Sequence, residues 1–180
     1  MKKVFFLLFI AIASIAMVSC EEPDIEANQV VFNGEVYKVS PKIFYSDMLV
    51  GFEQYDSLFS FLIRIHYPAE SHDISTIEGE YDLTQRLETG GYSLDFSIRP
   101  HYKFSFYNTK KDYNGFFART NEDGDTWWSK SYENESLFKS GTMIVDEEDG
   151  MLTLIIKDAE LQNGKKLSVW FNIPSQEEQN

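Results

Sequence analysis

Cysteine is almost missing from this chain, since Cys20 is the only one among 180 residues. No intramolecular disulfide can form, so the core alone has to stabilise the fold. Histidine is also scarce, with three residues, and their spacing matches no common zinc-ligand pattern. Basic side chains are outnumbered, 16 against 29 acidic ones, and the net charge is −13. So acidic a surface repels nucleic acid, and we expect no DNA or RNA partner.

The one long apolar run lies at the N-terminus and is too short for a spanning helix. It extends from Val4 to Val18 with Ser14 as its only polar residue, and two lysines precede it. A membrane-spanning helix needs about 20 apolar residues. A positive start, an apolar run of this length and a small-residue exit are instead typical of a secretory signal peptide. We predict that residues 1–19 are such a signal and are removed.

The end of the run contains the motif Met17-Val18-Ser19-Cys20. It resembles the lipobox of bacterial lipoproteins, although Met17 stands where Leu is usual. The resemblance implies that Cys20 is acylated on its sulfur and on its new amino group, which makes a durable membrane anchor. Lipidation also accounts for a lone thiol in an exported chain. We therefore predict a lipid-anchored protein of the outer membrane, facing either the periplasm or the cell exterior.

The rest of the chain divides into a tether, one domain and a tail. Residues 20–28 and 175–180 are polar, and we predict a lipidated acidic tether and a disordered tail. Residues 29–174 between them have the length of one domain. The acids that follow Cys20 resemble the export tags of lipoproteins displayed on the outer face of the outer membrane. A solvated linker has the same composition, so both interpretations stay open.

Alternation of apolar and polar residues predicts an all-β domain. Five segments show this period of two: residues 59–67, 92–98, 102–107, 152–156 and 167–173. Each places an apolar stripe on one face of a strand. Turn sequences join the strands, among them Asn33-Gly34, Arg99-Pro100, residues 147–150 and Asn163-Gly164. About ten short strands favour an antiparallel β-sandwich or flattened barrel, and a lipocalin-like closed barrel is the alternative.

In several of these features the sequence resembles a broad class of small all-β lipoproteins of Gram-negative commensal-type bacteria. The features are the lipobox, the Asn33-Gly34 hairpin ending in Tyr37, and the C-terminal segments 140–145, 152–154 and 163–166. The similarity is loose over the whole chain and best at the C-terminal hairpins. It implies a fold and a location, and it carries over no catalytic residue and no cofactor.

Trp127 and Trp128 are the main candidates for ligand contact. Neighbouring residues on a strand face opposite ways, so we expect one indole inside and one outside. An exposed indole can stack on a sugar ring or contact an envelope protein. Tyr107, Tyr113, Phe116 and Phe117 are expected to extend the same patch. The alternative is that the outer indole packs under residues 129–135.

Asn121, Asp123 and Asp125 form the most metal-like string in the sequence. Alternating oxygen side chains suit Ca²⁺. An EF-hand also needs a glutamate at its twelfth position and flanking helices, and neither is evident. The same residue types form ordinary hairpin turns, so we favour a turn.

Three functions are compatible with these observations. We prefer a non-enzymatic binding or accessory module on the cell envelope. A lipocalin-like carrier of an apolar ligand is favoured if the strand faces line an open cavity. Leu58 and Leu62 face opposite to Phe59 and Phe61, so we expect this strand to be apolar and buried on both faces. A hydrolase could use paired carboxylates, but such pairs are inevitable among 29 acids, and no nucleophile-elbow motif occurs. A filled core with an exposed aromatic strip would favour the binding module. An enclosed apolar cavity would favour the carrier.

Overall fold

The computed structural model describes residues 25–68 and 73–175. The predicted signal peptide, Cys20 and the tail from residue 176 onward lie outside the described residues. Within these ranges a short 3₁₀ turn, Ile74–Thr76, accompanies thirteen strands. None of the described segments is a helix long and apolar enough to span a membrane. The strands are β1 (Gln29–Phe32), β2 (Glu35–Lys38), β3 (Lys42–Ser46), β4 (Leu49–Gln54), β5 (Phe59–His66), β6 (Gly79–Asp82), β7 (Gly91–Ile98), β8 (Tyr102–Thr109), β9 (Tyr113–Thr120), β10 (Thr126–Glu133), β11 (Phe138–Glu148), β12 (Met151–Leu161) and β13 (Lys166–Pro174).

The strands form two antiparallel sheets that pack face to face. The six-stranded sheet has the order β2-β1-β13-β12-β11-β6, and the seven-stranded sheet has the order β10-β9-β8-β7-β5-β4-β3. The buried apolar side chains of both sheets form one core between them. The predicted all-β sandwich is therefore confirmed. The described strands divide into two separate sheets, so they do not form the lipocalin-like closed barrel that was the alternative.

Ring contacts between the sheets show that their strands cross steeply. Along the paired strands β5 and β7, the partner on the other sheet changes from β2 to β13 and then to β6. The ring pairs are Tyr37–Phe59, Phe61–Phe171 and Tyr81–Tyr92, with centroids 4.7, 4.8 and 5.9 Å apart. One strand pair thus traverses the full width of the six-stranded sheet, as in orthogonal sheet packing. The outermost strands of the seven-stranded sheet consequently lie at the ends of the strands of the other sheet.

The predicted turns lie where the sequence places them. Asn33 and Gly34 have φ angles of 51° and 88°, and this double positive φ is what a type I′ hairpin turn requires. Asp149-Gly150 joins β11 to β12, and Asn163-Gly164 lies between β12 and β13. Arg99-Pro100, with a cis peptide bond, lies in the turn between β7 and β8.

Gly141 lies where β11 approaches β12 too closely for a side chain. Its φ is +129°, and a Cβ there would come within 2.6 Å of the Ala159 Cα. We expect Gly141→Ala to lower the free energy of unfolding by about 2–4 kcal/mol, because backbone strain and overpacking add. Urea denaturation measures this loss.

Gly150→Ala is the matched control for that substitution. Gly150 also has a positive φ, +74°, but nothing lies within 4 Å of a Cβ built there. Its replacement therefore costs only the conformational strain, about 1 kcal/mol. Equal losses in the two variants would contradict the importance of the close approach to Ala159.

Candidate functional site: an aromatic overhang at a sheet edge

The edge strand β10 extends beyond the cover of the second sheet. Seven of its eight residues are exposed, and Tyr132 is the buried one. Lys130 pairs with Phe117 of β9, which is buried in the core. Residues opposite each other in a sheet share a face, so Lys130 and Trp128 lie on the core-facing side. Both are nevertheless exposed, because the six-stranded sheet does not cover this part of β10.

The expectation that one of the two indoles is buried is wrong, because Trp127 is 54% and Trp128 44% exposed. A β-bulge between Thr126 and Trp128 makes Trp127 an extra residue in the pairing with β9. A bulge interrupts the strict alternation of faces on which the expectation depended. Trp128 does point to the core-facing side, but at a position that no second layer covers.

A row of aromatic rings leads from the core to Trp128. The Trp128 ring lies edge-on to Phe117, with centroids 5.9 Å apart, and Phe117 is 5.8 Å from the half-buried ring of Tyr102. Buried Phe117 thus supports the exposed indole from below. A side chain held in this way loses little rotamer freedom when a ligand contacts it.

Three cationic side chains lie over rings in this region. The pairs are Arg119 over Trp127, Lys130 over Tyr132 and Lys165 over Tyr102, with the charged group 5.4, 4.9 and 4.7 Å from the ring centroid. Contacts of this type contribute about 0.5–1 kcal/mol each at exposed sites. We call the combined surface the aromatic overhang, which consists of Tyr102, Arg119, Trp127, Trp128, Lys130 and Lys165.

The two tyrosines expected to extend the patch lie elsewhere. Tyr113 is buried, and its hydroxyl donates a hydrogen bond of 2.6 Å to the carbonyl oxygen of Thr84. This burial raises the pKa of Tyr113 above its ordinary value. Tyr107 is exposed on the outer face of the seven-stranded sheet, where its hydroxyl donates to Asp95 at 3.5 Å. Neither tyrosine belongs to the aromatic overhang.

The calcium candidate at residues 121–125 is a turn closed by its own hydrogen bonds. The Asp125 amide donates to Oδ1 of Asn121 at 2.7 Å, and the Gly124 amide donates to the Asn121 carbonyl at 3.1 Å. Among the described residues, no three His, Cys, Asp or Glu side chains come together as a metal site. These hydrogen bonds give Asn121 and Asp125 a turn-forming role, and Asp123 lies exposed in the same turn.

Sequence reasoning missed the three cations of the overhang. Lys130 could have been found, because it follows Trp128 by two residues and so shares its face. Lys165 could not, because it comes from the turn between β12 and β13 and reaches Tyr102 only through the packing of the two sheets.

Leu58 also differs from expectation. It is exposed and immediately precedes β5, and Leu62 is half-buried on the outer face of the sheet. The interpretation of this strand as buried on both faces is therefore wrong, because only its Phe59 and Phe61 side meets the other sheet.

The aromatic overhang presents two indoles and two cations, Arg119 and Lys130, to solvent, and the half-buried Lys165 lies beside them. Such a surface can stack on the apolar face of a ligand while charged groups at its rim hold polar substituents. Comparisons of the chain with protein-family models, with curated proteins and with solved structures found no match.

Proposed function

We propose that this protein is a cell-envelope lipoprotein whose domain is a non-enzymatic binding module. Its contact surface for a glycan or an envelope protein is the aromatic overhang. The observation that carries this proposal is the exposure of two adjacent indoles on a strand that the second sheet leaves uncovered. Single surface aromatics are common. Two exposed indoles that are neighbours in sequence, one of them in contact with the buried ring of Phe117, are less common, and exposed apolar surface of this kind is typical of binding sites.

The packing of the interior supports a surface module over a carrier of an enclosed ligand. Phe61, Phe96 and Phe104 are buried at the centre of the core. Rings of the opposite sheet contact two of them, Phe171 against Phe61 and Phe32 against Phe104, with centroids 4.8 and 5.8 Å apart. Side chains packed in this way fill the space between the sheets. A ligand would consequently bind outside the sandwich.

Truncating the indoles tests the proposal. Trp127→Ala removes little buried area and should change the free energy of unfolding by no more than about 0.5 kcal/mol. Trp128→Ala also loses its contact with Phe117 and should cost about 1 kcal/mol. Each should weaken ligand binding by about 1–2 kcal/mol, as aromatic anchors at interfaces do. Urea denaturation measures the stabilities, and a glycan array together with immobilised envelope proteins measures binding.

Tyr107→Ala serves as the matched control, because Tyr107 is an exposed aromatic residue on the opposite face of the same sheet. It should leave binding unchanged. Wild-type binding by both indole variants would show that the aromatic overhang is not the contact surface. Stability losses of several kcal/mol in both would show that the indoles serve the fold instead.

A further inference from the structure

We propose that the aromatic overhang binds glycans that carry isolated carboxylate groups, such as one uronic acid on an otherwise neutral chain. This inference rests on the proposed function, because it names the ligand class of the same surface. It is carried by the three cations Arg119, Lys130 and Lys165 and by their position around Trp128.

The three cations contact rings instead of carboxylates. Within the described ranges the salt bridges are Arg64–Asp95 and Lys139–Glu160, and neither lies at the overhang. The chain has 29 acidic side chains for 16 basic ones, so a basic group on its surface readily meets an acid. Three cations in one place without such a partner keep their N–H donors available to an anionic group of a ligand.

Strand pairing places the cations around the indole of Trp128. Arg119 lies opposite Trp128, and Lys130 follows on the same face of β10. The two cations are diagonal neighbours, with Cβ atoms about 7–8 Å apart. On the other side of Arg119 lies Tyr102, over which Lys165 is placed. A sugar ring stacked on Trp128 would therefore have long cationic side chains within reach of its edge.

The indoles favour a sugar over other anions. A pyranose ring presents a face of C–H groups that packs on the negative face of an aromatic ring. A carboxylate at the ring edge can then accept charge-assisted hydrogen bonds from Lys or Arg. An acidic peptide that added a strand to β10 would need a regular edge, and the bulge at Trp127 interrupts it.

The rest of the molecule disfavours a densely charged polymer. The net charge of the chain is −13, and the turn beside Trp127 adds the exposed acids Glu122, Asp123 and Asp125. A polymer with an anionic group on every unit would be repelled by these charges. An isolated carboxylate responds mainly to charges within a Debye length of about 8–10 Å. The ligand class is therefore a sparsely charged glycan.

The test measures binding of the purified full-length protein to a panel of oligosaccharides that each carry one uronic acid. The matched ligand is the same oligosaccharide with its carboxyl group reduced to the alcohol. We expect about tenfold tighter binding of the acidic form, because hydrogen bonds to charged groups are the stronger ones. Raising the salt concentration from about 0.1 M to about 1 M should remove most of this difference, since the Debye length falls from about 10 Å to about 3 Å.

Charge-removing variants identify the groups responsible. Arg119→Gln and Lys130→Gln should each weaken binding of the acidic form about threefold to tenfold more than they weaken binding of the reduced form. Trp128→Ala should weaken binding of both forms. Lys103→Gln is the matched control, because Lys103 is an exposed cation on the outer face of the same sheet, in β8. It should change neither affinity.

The possible results separate this inference from the proposed function. If the acidic and reduced forms bind with equal affinity and Trp128→Ala still weakens the binding of both, the proposed ligand class is wrong. The aromatic overhang would then remain the proposed binding surface. Unchanged binding in Trp128→Ala would overturn the proposed function itself. Tighter binding of a densely sulfated polymer or of polyglutamate than of the acidic oligosaccharides would also overturn the class, as would no measurable binding across the panel.

Discussion

Replacing Phe104 with Ala should lower the free energy of unfolding by about 3–5 kcal/mol. The ring is 0% exposed and stacks on Phe96, with centroids 4.9 Å apart. It also contacts Phe117, on its own sheet, and Phe32, on the opposite sheet. Truncation would leave a cavity where the two sheets cross. The rings around this cavity would lose van der Waals contacts and some of their burial. Urea denaturation measures the loss.

An effect of this size approaches the whole stability of a typical domain, about 5–15 kcal/mol. If the Ala variant does not fold, Phe104→Leu keeps the measurement possible, with an expected loss of about 1–3 kcal/mol. Lys103→Ala is the control, because Lys103 directly precedes Phe104 and is exposed. This substitution should change the free energy of unfolding by no more than about 0.5 kcal/mol. A loss below about 1 kcal/mol for Phe104→Ala would contradict the packing at the sheet crossing.

Cys20→Ser should release the protein from the membrane fraction. The prediction depends on the lipobox resemblance, since Cys20 lies outside the described residues. Each buried CH₂ of an acyl chain contributes about 0.8 kcal/mol. Losing every acyl chain at once therefore removes nearly all of the affinity for the bilayer. Cell fractionation and the mass of the N-terminal peptide are the measurements.

Met17→Leu is the matched control for the anchor, because it restores the usual lipobox residue and retains Cys20. This variant should stay in the membrane fraction, with a lipid-modified peptide that begins at Cys20. A wild-type peptide that begins elsewhere and carries no lipid would refute the anchor.

The strands that were predictable from the sequence are those with one face against the other sheet. In β5, for example, Phe59, Phe61, Ile63 and Ile65 are buried and the residues between them are not. The covering sheet imposes this contrast, so the alternation of residue types records it. Hairpin turns were predictable for a local reason, because positive φ restricts the residue types at positions such as Asn33 and Gly34.

The strands that the sequence did not reveal lack this contrast. In β4, Val50, Gly51 and Phe52 are buried in succession, because the ring of Phe44 on β3 covers the outer side of Gly51. In β10 nearly every residue is exposed on both faces. A period of two is absent wherever both faces have the same surroundings.

The candidate site was predictable only in part. Two adjacent indoles after a polar turn are a visible feature of the sequence, and both belong to the overhang. The bulge that exposes Trp127 depends on the register between β9 and β10. The approach of Lys165 to Tyr102 depends on how the two sheets cross. Neither is encoded in local sequence, since both arise from contacts between distant segments.

The uncovered position of β10 also bears on self-association. An edge strand with free N–H and C=O groups is a template for pairing with a second copy of the chain. The other edge strands are short: β2 and β6 have four residues each and β3 has five. β10 has eight, but it carries a bulge at Trp127 and a charge at Lys130, two features by which natural sheets prevent edge-to-edge aggregation. The residues that shape the aromatic surface would thus also oppose the pairing of two copies of the chain through this edge.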